Sequence, residues 1–196
     1  MFILASSSSR RIALLEQIGR KPARVVAPDI DEAMRPNESP SAYVGRMARE
    51  KAEQVAIEYP STVILSADTV VVKQRKILDK PLVDQSVRAH LEVLSGTRHQ
   101  VLTNVAVIDA QGKFRRKLVT SLVKFKPLSS QEIDAYVASG EGMGKAGGYA
   151  IQGRAGAFVQ MIQGSYSAIV GLPLYETTRL LDLALGVNTS EVEEAS

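Results

Sequence analysis

Residues 63–72 read VILSADTVVV, and only Ser66, Asp68 and Thr69 interrupt a run of apolar, mostly β-branched side chains. Such a run predicts a strand, the strongest in the chain. Upstream, Ser39-Pro40 places an N-cap residue before a proline suited to a first helical turn, and predicts a helix to about Ile57. Further back, Phe2 to Ala5 reads as a short strand. Ser6 to Ser9 offer helix N-caps, and a helix carrying Ile12, Leu14, Leu15 and Ile18 stops near Gly19.

Downstream, a short strand is expected around Ile77, then a helix capped by Asp84 and ended by Ser95-Gly96. Val101 to Ile108 and Phe114 to Phe125 form a hairpin pattern across Asp109 to Gly112. Ser129 and Glu132 make a capping box for a helix through Ala138. A glycine-rich stretch, 140–156, leads into the apolar runs 157–162 and 167–170, and Pro173 to Gly186 bounds a last helix. Alternating strands and helices predict the α/β class. We read one domain over 1–190, with 191–196 as a frayed acidic tail.

The 196 residues are 45% hydrophobic and 23% charged, which suits a folded, soluble chain. No apolar run is long enough to span a membrane, and MFILASSSSRR places its basic residues after the apolar ones, the reverse of a secretory signal. The absence of cysteine excludes disulfides and thiolate metal sites. A cytoplasmic location is the simplest expectation. A net charge of +3 suits polyanionic ligands, while scattered basic residues and 5% aromatics argue against nucleic acid as a partner.

Several positions invite chemistry. Ser6 to Arg11 follow a strand and open a helix, where free N–H groups, hydroxyls and the guanidinium of Arg10 or Arg11 suit a phosphate. The bland alternative is a serine-capped helix with two exposed arginines. Asp68 inside the strand needs a partner or a metal, and suits a hydrated Mg²⁺, an activated water or both. The alternative is an edge strand that bends there. Ser66, Asp68 and Val70 share one face, and Thr69 points to the other. Lys51 falls on the apolar stripe of its helix with Val44, Met47, Ala48 and Val55, so it either meets an anion or snorkels to water. Lys80, before Pro81, and Lys145, among glycines, are weaker candidates for phosphate contact. Glu32 is a candidate second metal-facing carboxylate, or part of a solvated acidic loop. His90 falls in a surface helix, and neither a zinc site nor a Ser-His-Asp triad is expected from the two histidines.

Taken in order, LASSSSRR (4–11), YVGRMAREKA (43–52), SADTVVV (66–72), LDKP (78–81), LSGTRHQVLT (94–103), KAGGYAIQGRAGAFV (145–159) and GSYSAIVGLPLYET (164–177) resemble the blocks of the Maf family of nucleotide pyrophosphatases. Ser9 stands where that family usually has proline. The resemblance implies an elongated mixed sheet flanked by helices, with two lobes around a cleft, as in inosine-triphosphate pyrophosphatases. It also implies cleavage of nucleoside triphosphates to monophosphate and pyrophosphate, a divalent metal cation (Mg²⁺, with Mn²⁺ as the alternative) and a homodimer. Asp68 matches the family's proton acceptor, and Ser6, Arg10, Glu32, Lys51 and Lys80 match phosphate- or metal-handling residues. Arg10, Thr69 and Gln152 match the branch acting on dTTP and UTP, and a glutamine, donor and acceptor at once, suits the O4/N3 edge of uracil or thymine. A nucleotide-binding regulator of septum formation, without significant turnover, is the alternative function.

Overall fold

In the computed structural model, which describes residues 1–187, the run at 63–72 is the strand around which everything else is arranged. The chain runs β1 (Phe2–Ala5), α1 (Ser9–Gln17), β2 (Arg24–Val26), α2 (Pro40–Glu58), β3 (Val63–Lys73), β4 (Lys76–Leu78) and α3 (Asp84–Leu94). It continues through β5 (Arg98–Ile108), β6 (Phe114–Phe125), α4 (Ser130–Ala138), two 3₁₀ turns (Ala146–Gly148 and Arg154–Phe158), β7 (Val159–Gln163), α5 (Tyr166–Val170) and α6 (Leu174–Leu185). The expected acidic tail at 191–196 lies outside the described residues.

One seven-stranded mixed sheet has the order β2-β1-β3-β5-β6-β7, with β4 also on β3. β1 is parallel to β2 and β3, and the remaining pairings are antiparallel. The period of two sorts β3 between two apolar layers. Val63, Leu65, Ala67 and Val71 face a large core with Leu14, Leu15, Leu91, Ile133 and Leu181. Ile64, Val70 and Val72 face the other side, where Val44, Ala52 and Val55 of α2 pack. Burial on both faces explains the almost unbroken apolar run.

β3 changes partner along one edge. β1 covers it up to Ser66 and β4 from Val71, while β5 pairs with it continuously on the other side. Ala67 to Val70 therefore have no strand neighbour on the β1/β4 edge. Open α/β sheets gather ligands at such switch points.

Several local expectations hold. Ser39 caps α2 by accepting from Ala42 N, and Pro40 is its first residue. The Ser129–Glu132 capping box forms, and Gly186 ends α6 at φ 67°. Others need correction. Val83, not Asp84, is the N-cap of α3, and Asp84 sits in the first turn, where its charge still suits the helix dipole. β5 begins at Arg98 rather than Val101, because the β6 ladder extends to Lys124. Residues 166–170 form a short helix capped by Ser165, and β2, a three-residue exposed edge strand, has too little pattern to be seen in sequence.

Candidate functional site

The gap in the edge of β3 opens into a cleft of about 360 Å³, lined by Ser6, Arg10, Arg11, Glu32, Lys51, Asp68, Thr69, Lys80, Lys145 and Gln152. The ten candidates read from sequence are thus brought to one place by six separate segments.

Asp68 is buried in the middle of β3, opposite Asn104 of β5, and the strand runs on to Lys73 without a bend. Its Oδ1 accepts from Lys51 Nζ at 2.7 Å. Lys51 comes from the sheet-facing stripe of α2 and is itself only 6% exposed, so it does not snorkel. The same ammonium lies 2.6 Å from Glu32 Oε1, and Lys80 Nζ lies 2.9 Å from Glu32 Oε2. Glu32 is therefore tied into the cluster rather than solvated in its loop. Tyr43 of α2 holds it there by donating to the Glu32 carbonyl at 2.8 Å.

The electrostatics follow from this arrangement. Partial burial alone would push the Glu32 carboxyl up, but hydrogen bonds from Lys51 and Lys80 hold it at about 2. Burial, with the charges of Asp68 and Glu32 beside it, pushes the Tyr43 phenol up to about 12. Arg11 is drawn down by burial and supported by Asp68 and Glu32, so its guanidinium belongs to the cluster.

At the α1 end, the serines are not spent on capping. Ser8 occupies the N-cap without a side-chain bond, so the helix keeps free N–H groups at the cleft. Ser6 Oγ accepts from Ser8 N at 3.2 Å and from Arg11 Nη1 at 2.9 Å, which leaves its own proton available. Arg11 Nε also donates to the Gly171 carbonyl at 2.9 Å. Arg10 is half-buried on the side of Tyr136, and burial lowers its pKa. Of the two arginines, Arg11 is the one built into the site.

The opposite wall is the glycine-rich segment. Gly144 N donates to the Pro81 carbonyl and Gly147 N to the Asp79 carbonyl, so Lys80 and Lys145 are carried on two mutually braced stretches. Gly147 has φ +66°, and a Cβ there would stand 2.7 Å from Val71, so only glycine lets this backbone lie against β3. Tyr149 follows, its hydroxyl 2.8 Å from Nε2 of the buried His99. Thr69 Oγ1 lies 3.0 Å from Thr103 Oγ1.

The cleft thus has two halves. Lys51, Asp68, Glu32 and Lys80 form a charged half at the α2 side of the sheet. Val71, Val101, Tyr149, Ile151, Ile169 and Val170 form an apolar half on the other side, with Thr69 and Gln152 as its polar members. Sequence reasoning missed Tyr43, Thr103, Tyr149 and His99. Their signals, an aromatic on a helix and a Thr or His in a strand, are the commonplace signals of a core.

No group of three or more His, Cys, Asp or Glu side chains gathers as a cation cage among the described residues. Two neighbouring carboxylates do converge at Lys51, and Asp68 Oδ2 makes no bond to protein among those residues. That donor set fits a hard cation such as Mg²⁺, which keeps waters and completes its shell with substrate oxygens. Among the described residues no helix is long and apolar enough to cross a membrane.

A family model described as "Maf-like protein" matches residues 1–184. The chain is 55% identical over 179 residues to a dTTP/UTP pyrophosphatase of Sphingopyxis alaskensis, covering 91% of this chain and 94% of that protein. It is 50% identical over 179 residues to a dTTP/UTP pyrophosphatase of Caulobacter vibrioides, covering 91% and 93%. A nucleoside triphosphate pyrophosphatase of Ehrlichia canis is 48% identical over 180 residues, covering 92% and 94%. Among solved structures, a HAM1 protein from Coxiella burnetii superposes with a TM-score of 0.50 at 16% identity, over 94% of this chain and 100% of that one. At that identity the likeness bears on the fold alone.

Proposed function

The chain belongs to the Maf family, and on that premise we infer that it is a nucleoside triphosphate pyrophosphatase that hydrolyses dTTP and UTP to the monophosphate and pyrophosphate. In the cell this reaction clears unwanted or modified pyrimidine nucleotides. The observation that carries the reading is the two-sided cleft at the β3 edge. A triphosphate finds cations at Lys51, Lys80, Arg11 and the α1 N-terminus, while a base enters the apolar half beside Thr69 and Gln152.

The residues divide the chemistry as follows. Lys51 and Lys80 neutralise charge that develops as the α–β anhydride bond breaks. Ser6 and the first turn of α1 orient phosphate oxygens. Asp68, through its free carboxylate oxygen, orients and deprotonates the water that attacks the α-phosphorus, or holds the cation beside it. Asp68 and Glu32 would hold a divalent cation, which when bound supplies positive charge to bridging phosphate oxygens and acidifies a water. The glutamine amide of Gln152 suits the O4/N3 edge of uracil or thymine. A homodimer, on the strength of the family resemblance, and a cytoplasmic location, on the strength of a cysteine-free sequence with no secretory pattern, accompany this reading.

Pyrophosphate release, measured with Mg²⁺ across common and modified triphosphates, tests the function. Preferential release from dTTP and UTP is expected. A purine nucleotide, plain or methylated, turning over best would overturn the substrate assignment, and silence across the panel from folded protein would overturn the enzyme.

A further inference from the structure

Thr103 lies on β5 directly opposite Thr69 and is fully buried, and Thr69 rather than Thr103 lines the cleft. Its hydroxyl oxygen is 2.7 Å from the Ala168 carbonyl and 3.0 Å from the Thr69 hydroxyl. A carbonyl has no proton to give, so the short contact to Ala168 uses the single proton of Thr103. Thr103 can then only accept from Thr69. The Thr69 proton is drawn inward, and what Thr69 turns to the cleft is a lone pair. Thr69 lines the cleft beside Gly171, whose φ is +138° and where a Cβ would stand 3.8 Å from Thr69 Oγ1 and 3.7 Å from Arg11 Nε.

We infer that Thr103 is a positioning residue that fixes Thr69 as a hydrogen-bond acceptor, so that the apolar half of the cleft selects pyrimidines bearing an N3–H, uracil and thymine, over cytosine. This rests on the pyrophosphatase reading and goes further than it. Uracil and thymine present a donor at N3, whereas cytosine presents a lone pair there, and a lone pair facing the Thr69 oxygen is repelled. Gln152 cannot supply this discrimination alone, because an amide can turn to offer either its donor or its acceptor.

The test compares UTP with CTP in wild type, Thr103→Val, Thr103→Ser and Thr69→Val. Removing the Thr103 hydroxyl frees the Thr69 proton, so Thr103→Val is expected to raise KM for UTP and to lower the UTP:CTP ratio of kcat/KM by about tenfold. Its kcat for UTP should stay within about twofold, and Thr103→Ser should restore both values. Thr69→Val, which leaves the inner bond to Ala168 intact, should lose the same selectivity. Thermal unfolding of Thr103→Val would fall under any structural role, so the ratio decides. An unchanged ratio in Thr103→Val or in Thr69→Val overturns the inference. Dissociation constants for UTP, CTP and inorganic triphosphate, measured by calorimetry on the same proteins, separate the two readings. If wild type binds UTP but releases no pyrophosphate, the function falls while the affinities still judge Thr103. Triphosphate affinity is expected to be the same in all four proteins, and a parallel loss there overturns a role confined to the base.

Discussion

Lys51 Nζ lies 2.7 Å from Asp68 Oδ1 with both side chains buried, one presented by a helix and the other by the middle of a strand. Burying such a pair costs desolvation that its attraction only partly repays, so stability alone gives little reason to keep it. Asp68→Asn is expected to reduce pyrophosphate release by roughly 10²–10⁴-fold. The double replacement Lys51→Met with Asp68→Leu should be inactive yet unfold within about 1 kcal/mol of wild type, or above it. Lys51→Met, which leaves the buried Asp68 carboxylate without its ammonium, should cost about 3–5 kcal/mol, and Asp68→Leu should cost less, because Lys51 keeps Glu32 at 2.6 Å. Urea unfolding of the three variants checks this, and near-normal turnover in Asp68→Asn would remove Asp68 from the reaction.

The brace behind Lys145 depends on Gly147. Gly147→Ala combines a left-handed backbone with a Cβ 2.7 Å from Val71, so it should destabilise by about 2 kcal/mol or more and raise KM for the nucleotide. Gly144→Ala also has positive φ, +66°, but its Cβ meets nothing within 4 Å. It should cost about 1 kcal/mol. Equal losses in the two variants would show that contact with β3 is unimportant.

Much of this site is legible in the sequence because polar residues in apolar patterns are conspicuous. Asp68 breaks a strand and Lys51 breaks a helix stripe, and each break is resolved by the other. Glu32 carries no such mark, since an acid in an irregular segment looks solvated. Only the fold shows that it closes a chain of contacts from Lys51 to Lys80. Thr103 and His99 were hidden for the opposite reason. A threonine or histidine at an inward strand position is ordinary, and its partners, Ala168 and Tyr149, lie far along the chain. Helix bounds set by local capping, at Ser39, Ser129 and Gly186, were readable to within a residue or two. β2 was not, because its only reason to be a strand is the edge of β1.

The Glu32 contacts predict acid sensitivity at the site. Its carboxyl is held at about 2, below the ordinary 4.5, so the stability it contributes is complete above about 4.5 and is lost as pH falls toward 2. The side chain is 42% exposed, and solvent screening limits the contribution to about 1 kcal/mol. Comparing wild type with Glu32→Gln in denaturant at pH 6 and pH 3 checks the sign. The difference between the two should shrink at the lower pH, and a difference that grows would contradict the assignment.

His99 predicts a second, separate window. It is 2% exposed, and burial, reinforced by the charge of Lys73, lowers its pKa to about 4 from 6.5. Between those values the unfolded chain binds a proton that the folded chain refuses, so folding stability rises with pH there. The effect is complete above about 6.5 and is lost as pH falls toward 4, by up to about 3 kcal/mol. Burial keeps the imidazole neutral, its Nε2 lies 2.8 Å from the Tyr149 hydroxyl, and Tyr149 walls the apolar half of the cleft. His99→Phe fills similar volume without a titrating group. Its unfolding free energy should therefore show a smaller slope between pH 6.5 and pH 4 than wild type, the remainder belonging to His90, whose pKa burial also lowers, while both share the Glu32 loss below. It should also raise KM for UTP, because Tyr149 loses its anchor. A wild-type profile flat from 6.5 to 4 would mean that His99 is accessible to protons in the folded state.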